Sequence, residues 1–248
     1  MSRTKIVAGN WKLNGNKALV SAFNNAFTVA KLDNVSVMIF PPALYANEFD
    51  CEQLIIGVQN VSEQQSGAFT GELSTLMLND IGIGHTLIGH SERRDLYHED
   101  NDLIAAKVVT ALAANITPIL CIGESLDIRT AGKVNEFIQA QLDSVIDAVG
   151  MTGLSKCILA YEPIWAIGTG VTATPAQAQE VHAFIRDYLG SIDASVAQSL
   201  SILYGGSVNA KTAPDLFAQP DIDGGLVGGA SLKEEEFLTI CQAANQRG

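Results

Sequence analysis

The sequence predicts an α/β fold, a (β/α)8 barrel of eight parallel strands each followed by helix, and three observations carry that prediction. Eight short apolar, β-branched runs recur along the chain, segments of helical periodicity lie between them, and no Pro/Ser/Gly-rich linker divides it. Spread over 248 residues, eight strand-helix units average 31 residues each, the size of one such repeat. A single barrel domain over residues 1–248 is therefore expected.

The expected strands are residues 6–8, 35–40, 54–58, 86–88, 119–122, 157–160, 201–203 and 226–227. Most read as continuous apolar segments, as expected when both faces of a parallel strand are covered. The clearest helical stripe is Val134, Phe137, Ile138, Leu142, Val145, Ile146 and Val149, one apolar face of a helix packed on a sheet. Thr174-Pro175-Ala176-Gln177 offers an N-cap, a proline at the first helical position and Gln three residues on. Ser231-Leu232-Lys233-Glu234 repeats that capping logic before the last helix. An open doubly wound sheet is the competing architecture, but it predicts a glycine-rich dinucleotide turn after the first strand, where Gly9-Asn10-Trp11-Lys12 stands.

Composition narrows the function. With 47% apolar and 17% charged residues the chain is globular, and 15 basic against 27 acidic residues give a net charge of −12. That balance, unbroken by any basic run, makes nucleic acid and anionic membrane poor partners. The first ten residues lack the apolar core of a signal peptide and no 18-residue apolar run occurs, so a soluble cytoplasmic protein is expected. Cys51, Cys121, Cys157 and Cys241 lie 70, 36 and 84 residues apart, with no metal-ribbon spacing, and read as reduced thiols.

Barrel enzymes carry their chemistry on the loops that follow the strands. After strand one, Asn10 and Lys12 sit in a tight polar loop around one cation; alone, such a lysine reads equally as a solvated surface charge. After strand four, His90 precedes Ser91, an expected N-cap, and a helix N-terminus there disfavours the imidazolium form. Glu92, Arg93 and Arg94 read as surface ion pairs. After strand six, Glu162 is a carboxylate at a strand end, followed by Pro163-Ile164-Trp165-Ala166-Ile167-Gly168-Thr169-Gly170-Val171-Thr172. Trp165 and Ile167 at an apolar tip suit a lid that closes and excludes water; the competing reading is an ordinary packed connection. Paired glycines follow strands seven and eight, at Gly205-Gly206-Ser207 and Gly228-Gly229, where backbone N–H groups can approach a phosphate oxyanion.

Taken together, these segments resemble the triosephosphate isomerase family along the whole chain. The resemblance is carried by Gly9-Asn10-Trp11-Lys12, residues 67–72, residues 88–94, Cys121-Ile122-Gly123-Glu124, residues 161–172, residues 204–208 and residues 226–229, in that order. It implies interconversion of dihydroxyacetone phosphate and D-glyceraldehyde 3-phosphate through an enediolate, in glycolysis and gluconeogenesis, with no metal or organic cofactor. By resemblance, Glu162 is the base that shuttles the proton, His90 the neutral electrophile that polarises the carbonyl, and Lys12 and Asn10 face the developing oxyanion. Gly168, Ser207, Gly228 and Gly229 match phosphate-holding positions, and Glu92 matches an acidic residue supporting the site.

The segment 59–72 resembles the family's dimer-forming loop, whose tip residue, here Thr70, enters the neighbouring subunit near Asn10 and Lys12. Glu72 and Arg93 match a charged pair across that interface, so a homodimer is implied. Two departures stand out: Val171 occupies a lid position where relatives often carry Lys, and Leu13 stands where Met is frequent. A different phosphosugar barrel or a catalytically silent one would share the phosphate loops without the joint set Asn10, Lys12, His90 and Glu162.

Overall fold

The computed structural model describes residues 3–168 and 172–246. Its eight parallel strands are β1 (Ile6–Asn10), β2 (Ser36–Phe40), β3 (Leu54–Ile56), β4 (His85–Ile88), β5 (Thr117–Ile122), β6 (Ile158–Tyr161), β7 (Ile202–Tyr204) and β8 (Gly224–Val227). They run in the order β3-β2-β1-β8-β7-β6-β5-β4. The outer strands meet through a bridge from Val58 to Thr86. There the Leu87 N–H donates to the Val58 carbonyl at 2.9 Å, and the sheet closes into the expected barrel.

Ten α-helices are present among the described residues: α1 (Lys17–Thr28), α2 (Thr75–Asp80), α3 (Ser91–Leu96), α4 (Asn101–Ala113), α5 (Leu126–Thr130), α6 (Val134–Leu154), α7 (Pro175–Ile192), α8 (Ala194–Ser199), α9 (Ala213–Phe217) and α10 (Glu234–Asn245). The strands separate two packed layers. Ile6, Ala8, Met38, Phe40, Leu87, Ile119, Cys121, Ala160, Leu203 and Leu226 fill the barrel, while Val7, Ile39, Ile88, Leu120, Leu159 and Val227 face the helices. Covering on both sides explains why the strands read as unbroken apolar runs.

Most differences from the sequence reading fall at element ends. The third strand ends at Ile56, although the Gly57 N–H still donates to the Ile39 carbonyl at 2.9 Å, and Gly57 packs so close to Phe40 that a Cβ there would lie 2.3 Å from that ring. β8 begins at Gly224 and Gly225, which lack the side chains that advertise a strand. In α6 the stripe buries Ile138, Leu142 and Val145, but Phe137 sits at the exposed edge and Gly150, at φ 67°, breaks the helix. The Thr174 capping box forms in full. Ser231 caps nothing: it lies inside a 3-10 turn, Gly229–Leu232, and its hydroxyl donates back to the Gly228 carbonyl at 2.7 Å.

At the barrel end where the strands begin, buried charges tie helices to sheet. Arg186 on α7 donates to Asp221 at 2.9 Å and to Asp223 at 2.8 Å, and Asp223 also receives Arg3 at 2.7 Å and the Ile202 N–H at 3.0 Å. His182, one turn earlier on α7 and fully buried, contacts the Asp221 carbonyl through Nδ1 at 3.2 Å. Burial lowers its pKa from 6.5 to about 4, so the folded chain holds the ring neutral. Below pH 6.5 the unfolded chain takes up a proton that the folded chain refuses, so His182 contributes stability at neutral pH that is lost as pH falls toward 4. Urea midpoints followed from pH 7 to pH 4.5 should therefore fall less steeply for His182→Gln than for the parent chain. Equal slopes would contradict this.

Candidate active site

The ends of β1, β4, β6, β7 and β8 surround a cavity of about 440 Å3. Asn10, Lys12, His90, Glu162, Ile167, Gly168, Ser207, Gly228 and Gly229 all line it, so the structure gathers most of the sequence-nominated residues into one place.

Trp11 fixes the first loop. Its ring is buried against Phe23 and Phe49, with centroids 5.2 and 5.6 Å away, and the Trp11 backbone N–H donates to the Phe40 carbonyl at 3.1 Å. Lys12 follows with φ 51°, a left-handed conformation that costs a side-chain-bearing residue on the order of 1 kcal/mol. Three contacts hold it there: its N–H donates to Asn10 Oδ1 at 2.9 Å, its carbonyl accepts from Gln59 Nε2 at 2.8 Å, and its Nζ meets Glu92 Oε1 at 2.6 Å. A Cβ on Gly228 would lie 3.7 Å from Lys12 Cε, so the ammonium stem runs beside the last glycine loop.

His90 itself, not Ser91, caps α3: its Nδ1 accepts the Glu92 N–H at 3.2 Å. A nitrogen that accepts carries no proton, which leaves the ring hydrogen on Nε2. Nε2 in turn lies 3.0 Å from Glu162 Oε1, and the other Glu162 oxygen accepts the Ser91 N–H at 2.9 Å. Ser91 thus serves the site through its backbone. Arg94 is no surface ion pair; it donates to the carbonyls of Gly89 and Cys121 and to Asn101 Oδ1, at 2.8, 3.1 and 2.8 Å. Arg93 does pair, with Glu99 of the same chain at 2.7 Å. At the barrel centre, burial and then the Glu162 charge push the Cys121 thiol well up.

The segment after Glu162 is anchored at its root. Trp165, placed by the sequence reading at an apolar tip, belongs to a 3-10 turn, Ile164–Ala166, and donates its indole N–H to Glu124 Oε1 at 2.8 Å. The same buried oxygen accepts from Tyr161 at 3.1 Å and Arg129 at 3.2 Å, and the Arg129 guanidinium lies 4.8 Å over the Trp165 ring. Ser207 Oγ donates to the Ala166 carbonyl at 2.8 Å. Thr172 is exposed, and the lid positions Thr169, Gly170 and Val171 lie outside the described residues. Glu124, Arg129 and Gln59 were not singled out from sequence; only the string Cys121-Ile122-Gly123-Glu124 marked the place.

Glu92 lines an adjoining cavity of about 290 Å3 together with Asn10, Lys12, Leu13, Gln59 and Arg93. Thr70 and Glu72 stand away from both cavities, on the exposed loop. Among the described residues no group of three or more His, Cys, Asp or Glu side chains is placed to hold a metal ion.

A carboxylate, a singly protonated imidazole, an ammonium and paired-glycine loops around one small cavity can move a proton next to a carbonyl on an anionic substrate. Residues 5–244 match the family model described as triosephosphate isomerase. The chain belongs to the triosephosphate isomerase family. Curated triosephosphate isomerases similar to it include those of Xanthomonas euvesicatoria, 52% identical over 98% of each chain, and Alcanivorax borkumensis, 51% identical over 98% of this chain and all of the relative. That of Pseudoalteromonas translucida is 47% identical over 98% of each.

Glycine at two strand ends makes room for Glu162, for its backbone at Gly123 and for its side chain at Gly205. A Cβ on Gly123 would meet the Glu162 carbonyl at 1.8 Å, and one on Gly205 would meet Glu162 Cγ at 2.8 Å. Gly205→Ala, a change within the strand-seven glycine loop that leaves every backbone N–H in place, should displace the Glu162 side chain, lowering kcat by about 100-fold with much less change in KM. Steady-state kinetics showing unchanged kcat would refute this placement.

Proposed function

We propose that the chain interconverts dihydroxyacetone phosphate and D-glyceraldehyde 3-phosphate through an enediolate, with Glu162 as base. The observation that carries this reading is the Glu162 carboxylate held 3.0 Å from His90 Nε2 in the cavity that Lys12 and the glycine loops also line. In the unliganded site Glu162 occupies the acceptor position that a substrate carbonyl oxygen needs. When substrate enters, its oxygen takes the His90 Nε2–H, and Glu162 turns from Ser91 toward the carbon-bound hydrogen. Lys12 exchanges Glu92 for the developing negative charge, with Asn10 beside it, and Glu92 supports Lys12 meanwhile.

Proton removal next to a carbonyl succeeds only if the enediolate charge is met as it forms, and His90 with Lys12 supplies that. The backbone N–H groups of Gly168, Ser207, Gly228 and Gly229 hold the phosphate. The segment 163–172 acts as a lid over it, which dehydrates Glu162 and keeps water from the enediolate. These side chains supply each step themselves, so the reaction runs without metal or organic cofactor.

The active form is a homodimer. Leu13 is 97% exposed and, with the exposed Leu96 and Tyr97, lines the cavity beside Lys12, an apolar surface of the kind that a partner covers. In this reading Thr70 of one subunit fills the 290 Å3 cavity beside Lys12 of the other, and Glu72 approaches Arg93. No helix among the described residues is long and apolar enough to cross a membrane.

Glu162→Gln should bind a phosphate-bearing substrate analogue with near-parental affinity and lose between about 10²- and 10⁴-fold in turnover, measured in both directions on metal-stripped protein. Lost affinity with intact turnover would overturn the role of Glu162. Light scattering at micromolar concentration should give twice the chain mass; a fully active monomer would remove the dimer.

A further inference from the structure

We infer that Lys233 guides the dianionic substrate into the cavity and that Glu236 moderates its pull. This rests on the phosphate-bearing substrate proposed above. Both residues line the rim of the cavity that holds Lys12, Glu162 and the glycine loops. Lys233 caps α10 in an extended conformation, which sets it at the cavity edge, and Glu236 follows within the first turn of that helix. The Lys233 ammonium is 3.9 Å from Glu236 Oε2, with the lysine side chain 76% exposed and the glutamate 29% exposed.

Charge makes such a residue necessary. A chain at −12 repels a dianion at long range, so the field at the cavity mouth must oppose the field of the whole. Among the described residues only two Lys or Arg side chains line this cavity. One of them, Lys12, has its Nζ 2.6 Å from Glu92 and is neutralised until substrate displaces that contact. Lys233 is the other, and it faces solvent, where an approaching phosphate first meets the protein. Glu236, 3.9 Å away, offsets part of the lysine charge, which keeps the phosphate from lodging there.

Field guidance fades as salt shortens the screening length, from about 30 Å at 0.01 M to about 3 Å at 1 M, whereas a direct contact in the bound state persists much better. The test is therefore kcat/KM against ionic strength for the parent chain, Lys233→Met, Glu236→Gln and Lys156→Met. Lys156 stands in the turn before β6, at the opposite end of the barrel, and its loss changes net charge equally.

Near 0.01 M, Lys233→Met should lose about threefold in kcat/KM and Glu236→Gln should gain, with kcat unchanged, and both differences should vanish toward about 1 M. Lys156→Met should follow the parent throughout. Equal losses for Lys233→Met and Lys156→Met would make the effect one of net charge, and a Lys233→Met deficit that persists at high salt would make it a contact; either result overturns the inference, as does no effect at low salt. If the parent chain isomerises neither triose phosphate, the proposed reaction fails separately. The same variants then report through the dissociation constant of inorganic phosphate by calorimetry. A low-salt weakening confined to Lys233→Met sustains guidance, and its absence ends it.

Discussion

Two consecutive backbone N–H groups at the start of α3 govern the site. The Glu92 N–H is taken by His90 Nδ1 and the Ser91 N–H by Glu162 Oε2, so groups from the ends of β4 and β6 are set against each other by one turn of backbone. The first contact fixes the imidazole tautomer, with its hydrogen on Nε2 and aimed at Glu162. Backbone donors cannot swing away as side chains do, which makes the arrangement preorganised before substrate arrives.

A division of labour runs along the barrel axis. Where the strands begin, Arg186, Asp221, Asp223 and Arg3 form a buried network in which opposite charges and hydrogen bonds answer one another. Where the strands end, the polar groups have provisional partners. Lys12 leans on Glu92, Glu162 on Ser91, and the backbone at Lys12 holds a strained φ sustained by Trp11, Asn10 and Gln59. Substrate can displace the first two contacts without disturbing the core, because the Phe23 and Phe49 packing against Trp11 lies outside the cavity. Stability is concentrated at one end and exchangeable contacts at the other, as this architecture generally arranges.

The barrel was legible in the sequence because burial on both faces writes each strand as an apolar run, and the chemistry was legible because polar residues at strand ends interrupt those runs. Asn10, Lys12, His90 and Glu162 all stand at such interruptions. What stayed hidden depends on partners distant in sequence. Glu124 gathers Tyr161, Trp165 and Arg129 from three segments, so nothing local revealed that Trp165 is anchored at the root of its loop. Ser91 and Ser231 both looked like caps, since a cap is read from residue type. In the structure His90 caps in place of the first, and a 3-10 turn absorbs the second. Arg94 looked solvated because its acceptors are carbonyls, which no sequence pattern displays.

The central claim is that the backbone of α3 presents His90 with one proton, on Nε2, to the carbonyl oxygen. Nitrogen-15 NMR of the His90 ring in the unliganded protein at neutral pH tests it most directly. The account predicts an unprotonated, hydrogen-bond-accepting Nδ1 and a protonated Nε2. A ring carrying protons on both nitrogens, or a single proton on Nδ1, would contradict it.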